Sequence, residues 1–256
     1  METISIINRK GGVGKTATAQ ALGAGLLRKG RRVLFVDLDS QANLSYGLGA
    51  ADAEPGILEV LTGEAPAAAA ILHTEQGDIL PGSAALANAE ALISGTGKEY
   101  RLSEKLSGLP YDYAIIDTPA ALGTLTVNAL TASGSVIIPV QAEIYSLQGI
   151  SQLSEAIAAV KKYCNPALTI RGILITRYNG RAILSRDMLA NLEAAAEQLR
   201  TWVYQTPVRE CVAVKEAQAS QQDIFTYAPR SNAAKDYTAF IEEFLERMAA
   251  DGKEGL

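Results

Sequence analysis

One short segment constrains this chain more than any other, a glycine-rich loop at residues 10–16 that reads KGGVGKT. It follows an apolar stretch at 4–7 that predicts a strand, and it leads into a stretch at 15–29 that predicts a helix. Glycines let successive backbone N–H groups turn toward one anion, and the first turn of a helix adds further free N–H groups. The order of strand, glycine loop, Lys-Thr pair and helix therefore predicts a phosphate-binding loop.

Two lysines flank the glycines of this loop. Lys15 can reach the β- and γ-phosphates of a nucleotide, and the hydroxyl of Thr16 can ligate Mg²⁺. The common pattern for such loops has glycine where this chain has Arg9, and this chain places a second lysine, Lys10, at the mouth of the loop. Because Lys15 already serves the protein's own nucleotide, we expect Lys10 to reach outward, to a nucleotide held by a second copy of the chain.

The segment 8–49 resembles the deviant Walker A ATPases of the ParA/MinD group, and most of all the short ParA proteins of the Soj type. The resemblance continues in PVQAEIYSLQGISQL at 139–153, in ILITRYNGRAILSRD at 173–187 and in the stretch 206–237, so it covers nearly the whole chain. It implies a weak ATPase that depends on Mg²⁺, with ATP and Mg²⁺ as its cofactors.

The resemblance also implies which residues contact the nucleotide. The strand that includes Arg177 leads to the base pocket, and the stretch that includes Pro207 closes over the adenine, with Cys211 where asparagine is usual. The remaining contacts come from the loop and the start of the helix: Lys10, Gly11, Gly12, Val13, Gly14, Lys15, Thr16 and Ala17.

A first aspartate motif, VDLDSQAN, ends the second predicted strand with Asp37 and Asp39. A carboxylate near the γ-phosphate can orient an attacking water. The resemblance gives this role to Asp39, so Lys10, Lys15 and Asp39 are the predicted catalytic residues. Ser40 stands where the family often has proline. An Asx-turn or a helix cap is the alternative role for Asp39.

A second aspartate motif, YDYAIIDTPAALG, ends an apolar strand at Asp117. This arrangement is typical of a Walker B site, in which the carboxylate holds Mg²⁺. The predicted metal-binding residues are therefore Thr16, Asp37 and Asp117, with Asp37 supporting either the metal or the loop. The family commonly has two prolines after this aspartate, and here Pro119 is followed by Ala120.

Strand and helix patterns alternate along the chain. The predicted strands are residues 4–7, 33–37, 78–80, 113–117, 135–140, 168–176 and 202–204. The predicted helices are 15–29, 102–109, 124–131, 147–163, 184–200 and 232–248. This alternation predicts a doubly wound α/β fold of the P-loop NTPase (SIMIBI-like) type, a mainly parallel sheet with helices on both faces. Without a clear linker, we expect one ATPase domain over residues 1–256.

Charge is unevenly distributed along the chain. Residues 161–215 carry nine basic and four acidic side chains, a net charge of +5, although the whole chain carries −5. Such a basic segment indicates either a surface that faces a polyanion or ordinary solvated helices. The resemblance implies that Arg181 and Arg209 contact double-stranded DNA without sequence specificity, and we expect Arg186 and Lys215 to add to the positive field.

These features predict an ATP-dependent switch. Two ATP-bound copies form a homodimer that binds DNA, and hydrolysis dissolves the dimer and releases the DNA. The resemblance implies that a ParB-like centromere-binding partner stimulates hydrolysis during partition of a plasmid, mobile element or chromosome origin. The opening residues METISII enter a strand at once and do not resemble a signal peptide, so we expect a cytoplasmic, nucleoid-associated protein.

Other functions are possible on the same fold. A MinD-like membrane regulator needs a basic amphipathic C-terminal helix, whereas residues 241–247 are acidic, so no membrane partner is expected. An iron–sulfur carrier needs clustered cysteines, whereas Cys164 and Cys211 lie far apart in the sequence. A ParA-like ATPase that positions a cargo other than DNA would share every predicted active-site residue, and this alternative stays open.

Overall fold

One sheet organises the protein, whose structure is a computed structural model that describes residues 1–51, 53–143, 146–180 and 183–254. The strands are β1 (Glu2–Ile6), β2 (Val33–Asp37), β3 (Leu72–Thr74), β4 (Gly77–Leu80), β5 (Tyr113–Asp117), β6 (Ser135–Gln141) and β7 (Thr169–Thr176). Their order across the sheet is β3-β4-β2-β5-β1-β6-β7.

Helices connect most of these strands. They are α1 (Lys15–Arg28), α2 (Asn43–Gly47), α3 (Ile57–Thr62), α4 (Ala67–Ala70), α5 (Ala89–Leu92), α6 (Arg101–Leu106), α7 (Thr124–Ala132), α8 (Ser146–Tyr163), α9 (Ile183–Gln198), α10 (Val212–Ala219), α11 (Ile224–Tyr227) and α12 (Asn232–Glu254). Short 3-10 turns lie at Ala84–Asn88 and Lys98–Tyr100.

Every neighbouring pair of strands is parallel except β3 and β4, which form an antiparallel edge. Strands β2 and β5 are apolar up to their final aspartate, and β1 alternates polar and apolar residues. All three are almost entirely buried, because helices cover both faces of the sheet. The predicted doubly wound, mainly parallel α/β fold is confirmed.

Two edges of the sheet differ from the sequence prediction. The predicted strand at 202–204 was wrong, because Val203 makes only an isolated bridge to Ile173. The chain stays beside β7, where the N–H groups of Tyr204 and Val208 donate to its carbonyls, but it does not form a strand there. At the other edge, β3 was not predicted, since its residues Leu72, His73 and Thr74 are polar or largely exposed and show no apolar pattern.

The packing of α1 fixes where the phosphate loop lies. Gly23 of this helix rests directly on Phe35 of β2, and a Cβ at position 23 would lie 2.1 Å from the phenylalanine ring. This close approach requires glycine, and it holds the helix tightly against the sheet. The loop before α1 is therefore held at the carboxyl ends of β1, β5 and β6.

None of the helices within the described residues is both long enough and apolar enough to span a membrane.

Candidate active site

A cleft of about 910 Å³ opens at the carboxyl ends of the parallel strands. Its walls include parts of the segments 11–17, 39–46, 119–121, 176–177 and 208–219. Ligands of doubly wound sheets bind at this edge, so the cleft lies where the sequence predicts the nucleotide.

The backbone of the phosphate loop takes a shape that requires glycine. Gly12 and Gly14 have φ angles of +73° and +83°, in the left-handed region that other residues rarely adopt. Gly14 precedes α1, and no described side chain caps that helix end. The N–H groups of the first turn are therefore available to an anion, and the largely buried Lys15 adds a positive charge beside them.

Hydrogen bonds from neighbouring strands hold the loop in place. The hydroxyl of Thr176 at the end of β7 donates to the carbonyl of Val13 at 2.7 Å. The amide of Gln141 at the end of β6 donates to the carbonyl of Gly12 at 3.0 Å. These bonds fix two consecutive peptide planes of the loop, so its N–H groups are oriented before a ligand arrives.

Thr16, which lines the cleft, contacts the fully buried Asp117. The hydroxyl of Thr16 donates to Oδ2 of Asp117 at 2.6 Å, while Oδ1 of Asp117 is buried and accepts no hydrogen bond from the described residues. A hydroxyl and a carboxylate are the hard oxygen ligands that Mg²⁺ prefers. The described residues contain no cluster of three acidic, histidine or cysteine side chains suited to a metal. Nucleotide-borne Mg²⁺ needs few protein ligands, so this donor set fits it.

Asp37 is engaged by the protein on both carboxylate oxygens. The backbone N–H of Asp39 donates to Oδ1 at 3.1 Å, and Ser45 donates to Oδ2 from its N–H at 2.8 Å and from its hydroxyl at 2.7 Å. The hydroxyl of Ser45 in turn accepts from the N–H of Gly82 at 2.9 Å. These contacts favour support of the loop, the second of the two predicted roles of Asp37, over direct contact with a metal.

Asp37 and Asp117 are register partners on the adjacent strands β2 and β5, and both are fully buried. Burial raises the pKa of Asp37 to about 6 despite its hydrogen bonds from Ser45. Burial, with repulsion from Asp37, also raises the pKa of Asp117 well above its ordinary value, although Thr16 and Lys15 oppose this shift. A cation bound at this point would favour the charged carboxylates.

Asp39 lies in the wall of the cleft, on the segment that leaves β2. Its Oδ1 accepts a hydrogen bond from the N–H of Gln41 at 3.0 Å, and its carbonyl accepts from the N–H of Ala42 at 2.9 Å. The side chain therefore forms the predicted Asx-turn and also lines the cleft. The two roles are compatible, because the turn holds the carboxylate at the cleft.

Comparisons with known proteins agree with this geometry. The model of a family described as an AAA domain matches residues 1–170. Sporulation initiation inhibitor protein Soj of Bacillus subtilis is 41% identical, over 97% of this chain and 98% of that protein. Chromosome-partitioning ATPase Soj of Thermus thermophilus is 38% identical, over 96% of each. This chain belongs to the Soj/ParA family of partitioning ATPases. The resemblance stated from the sequence motifs is thereby confirmed.

A solved structure shows the same fold. Cobyrinic acid a,c-diamide synthase from Mycobacterium smegmatis, crystallised with an ATP analogue and magnesium, is 34% identical with a TM-score of 0.85. The similarity covers 98% of this chain and 97% of that one. A Soj/ParA chain and a protein named as a synthase thus share one architecture, so function must be argued from the site.

The second lysine of this Soj/ParA family member directly precedes Gly11, which lines the cleft. The ammonium group of Lys10 forms an ion pair with Glu143, which follows β6, and the two side chains are 37% and 48% exposed. Lys15 is buried inside the cleft, so the two lysines have different surroundings. Of the two, Lys10 is the one placed where another molecule could reach it.

The predicted base-pocket residues fall at different distances from the cleft. Arg177 lines it and forms an ion pair with Glu210 at 2.8 Å. Pro207 does not line it, although the next residue, Val208, does. Val13 is buried beneath the loop, so only its backbone can serve a nucleotide.

The predicted DNA contacts are divided in the structure. Arg209 and Lys215 line the cleft, and the guanidinium group of Arg209 donates to both carboxylate oxygens of Asp236 at 2.8 and 2.6 Å. Arg181 lies outside the described residues. Arg186 belongs to α9, but its side chain is also outside the description. The DNA-binding role of these four residues stays a prediction.

Several residues that line the cleft escaped the sequence analysis. They come from α2, α10 and α12, elements whose approach to the loop only the tertiary structure reveals. They include Asn43, Tyr46, Gln218 and Tyr237. Cys211, which the sequence analysis noted because the family usually has asparagine there, also lines the cleft, just before α10.

The raised pKa values of the buried carboxylates predict a pH dependence of stability. A carboxyl whose pKa is higher in the folded state stabilises the fold when it is protonated, so the free energy of unfolding should increase as the pH falls from 8 through 6. In nucleotide-free protein with a chelator, Asp117→Asn should be more stable than the wild type by about 1–3 kcal/mol at pH 8, with the difference shrinking toward pH 5. Urea unfolding at several pH values measures it.

A matched control is Asp112→Asn, just before the same strand. Its exposed carboxylate pairs with Arg32, whose hydrogen bonds lower the pKa of Asp112 to about 2. In this variant the slope of the free energy of unfolding against pH should equal that of the wild type between pH 5 and 8. An Asp117→Asn protein with the wild-type pH slope would contradict the assigned burial effect.

Proposed function

We propose that this chain is a Mg²⁺-dependent ATPase that dimerises when it binds ATP, binds DNA without sequence specificity and drives partition of a plasmid, mobile element or chromosome origin. One observation carries the proposal: a preformed phosphate loop has one lysine buried inside the cleft and another exposed at its mouth. Lys15 serves the bound nucleotide, and Lys10 is placed to serve a nucleotide in a facing copy.

The chemistry inside the cleft follows from its residues. The N–H groups of the loop and the ammonium group of Lys15 bind the phosphates. Thr16 and Asp117 would hold Mg²⁺, which neutralises phosphate charge when bound. Asp39 orients the attacking water from the wall of the cleft. The bonds from Asp37 and its neighbours keep the segment with Asp39 in position for this task.

Exposed apolar residues around the cleft support a dimer. Tyr46 is 47% exposed, Leu122 is 37% exposed and Val212 is 70% exposed, and each belongs to or directly follows a segment that lines the cleft. Apolar side chains gathered around a binding site are typical of a surface that a partner covers. A facing copy would cover them and would bring its own Lys10 to the phosphates.

Two sets of basic residues could bind DNA. The set near the cleft includes Arg177 and Arg209, whose charges are offset by Glu210 and Asp236. The second set lies at the amino end of β7, where Lys161, Arg171 and Arg200 line a groove of about 640 Å³. We assign DNA binding to Arg181 and Arg186, which follow Arg177 in the sequence, because dimerisation at the cleft would bring together the basic residues of two copies.

The proposed cellular role draws on the relatives. Soj of Thermus thermophilus is named a chromosome-partitioning ATPase. By analogy, a ParB-like centromere-binding protein stimulates hydrolysis by this chain, and the DNA-bound dimer is associated with the nucleoid. Positioning of a cargo other than DNA is the alternative function.

A MinD-like membrane role fits the structure less well. Helix α12 turns Phe240, Ile241 and Phe244 into the protein core, where they are almost fully buried. The apolar face of this helix is therefore already used, and the exposed charged side chains that the structure describes on it are Lys235, Glu242 and Glu246, which do not form a basic face. A membrane-binding helix needs the opposite arrangement.

The outward-reaching lysine gives the first test of this proposal. Lys10→Ala should bind ATP nearly as well as the wild type, because Lys15 and the loop N–H groups remain, but it should stay monomeric. Light scattering with a non-hydrolysable ATP analogue and Mg²⁺ measures the oligomeric state. Arg9→Ala, a neighbouring exposed basic residue, is the matched control and should still dimerise. An ATP-bound dimer of Lys10→Ala would exclude the proposed role of this lysine.

The location of DNA binding gives the second test. Arg181→Glu and Arg186→Glu should each lower ATP-dependent DNA affinity and reduce the slope of log K against log salt by about 0.9 for each DNA phosphate that the variant no longer binds. Dimerisation should not change. Lys161→Glu, in the distant groove, should bind DNA normally. Arg209→Glu is a poor probe because it would leave the buried Asp236 without its partner.

The outcomes separate three interpretations. If Lys161→Glu is the only variant that loses DNA binding, the DNA site is the distant groove lined by Lys161. Wild-type DNA affinity in all the reversed-charge variants, or no DNA binding by the wild-type dimer, would favour a cargo other than DNA.

A further inference from the structure

Lys10 is the residue expected to act outside its own subunit, yet its ammonium group is held by Glu143 of the same chain. Both side chains are partly exposed, and Lys10 directly precedes Gly11, which lines the cleft. In the proposed dimer the ammonium group of Lys10 turns to the phosphates of another subunit and leaves this partner. Dimerisation therefore has to exchange one negative partner of Lys10 for another.

The backbone positions of the two partners are fixed relative to each other. The side chain of Asn8 donates to the carbonyl of Pro139 at 2.7 Å, and its oxygen accepts from the N–H of Lys10 at 2.9 Å. Gln141 holds the carbonyl of Gly12 from the other side. These bonds join the start of the phosphate loop to the end of β6, so the ion pair forms with little loss of backbone freedom.

We infer that Glu143 is a counter-charge that retains Lys10 in the protomer and makes release of this lysine depend on the γ-phosphate of ATP in the facing copy. The inference rests on the proposed function. It adds a regulatory residue that lies outside the phosphate loop and is separate from the residues that would hold the nucleotide and Mg²⁺. Glu143 acts only through Lys10.

Glu143 and the phosphates of the facing nucleotide compete for Lys10, and this competition determines how strongly dimerisation prefers ATP over ADP. ATP offers Lys10 several phosphate oxygens that become buried in the interface, where charge-assisted hydrogen bonds are strong. ADP lacks the γ-phosphate, so it offers Lys10 fewer phosphate oxygens to replace the broken ion pair with Glu143. The ion pair thus favours the monomer in the absence of ATP, and the penalty applies twice in each dimer because both lysines must be released.

The expected effect is modest because the pair is exposed. Exposed ion pairs change an equilibrium by about 1.4- to 5-fold each, so two of them change dimer affinity by about 2- to 25-fold. Salt screens exposed charges, and the effect should therefore be largest at low ionic strength. Removing the carboxylate should strengthen the dimer, whereas removing a carboxylate that supports the interface would weaken it.

The test compares Glu143→Gln with Glu155→Gln, which removes the same charge from an exposed position on α8. Sedimentation velocity measures the dimer dissociation constant with a non-hydrolysable ATP analogue and with ADP, at low and high salt. Relative to Glu155→Gln, Glu143→Gln should dimerise about 2- to 25-fold more tightly with the analogue. It should also form more dimer with ADP, and both gains should shrink at high salt.

Further variants distinguish failure of this inference from failure of the proposed function. If Lys10→Ala still dimerises, Lys10 does not cross the interface, and both the role proposed for this lysine and the present inference are overturned. If Lys10→Ala is monomeric but Glu143→Gln matches Glu155→Gln or dimerises more weakly, only the role of Glu143 is overturned. In the double variant Lys10→Ala/Glu143→Gln, the gain from Glu143→Gln should disappear, because the glutamate acts only through Lys10. A persistent gain would overturn the inference.

Discussion

Two carboxylates buried side by side at the ends of β2 and β5 set the chemistry of this protein. The carboxylate of Asp37 accepts the hydrogen bonds that hold the segment 38–45. Asp117, in contrast, has one carboxylate oxygen that accepts no hydrogen bond from the described residues. Their shared burial makes a second negative charge costly unless a cation compensates it. This pair of carboxylates therefore connects three features. It joins β2 to β5 in the fold, it positions the segment that carries Asp39, and it calls for a Mg²⁺ ion that arrives with the nucleotide.

The loop above this pair is held by β6 and β7 rather than by its own sequence. Glycine allows its shape, but Thr176 and Gln141 fix two of its carbonyls, and Asn8 joins its start to β6. A preoriented loop binds phosphates without much reorganisation. The same attachments place Lys10 next to Glu143, so the device that binds a nucleotide and the device proposed to sense a second subunit share one framework.

Local patterns in the sequence predicted the parts whose physics is local. The glycine loop, the apolar strands ending in Asp37 and Asp117, and the parallel sheet all follow from residue order. The partners of Asp37 could not be predicted, because Ser45 and Gly82 meet only after α2 and β4 are placed. Likewise, the basic character of 161–215 did not reveal that Asp236 engages Arg209 or that other cations lie at the opposite end of β7.

The measurement that tests the central claim most directly is hydrolysis and DNA retention by Asp39→Ala and Asp39→Asn with ATP and Mg²⁺. Asn can still accept the hydrogen bond from Gln41, so the second variant separates the turn from the carboxylate charge. A switch driven by this carboxylate predicts that both variants bind ATP, hydrolyse it at least about 10²-fold more slowly and remain DNA-bound dimers. Hydrolysis at the wild-type rate in either variant would contradict it and would assign the water to another residue.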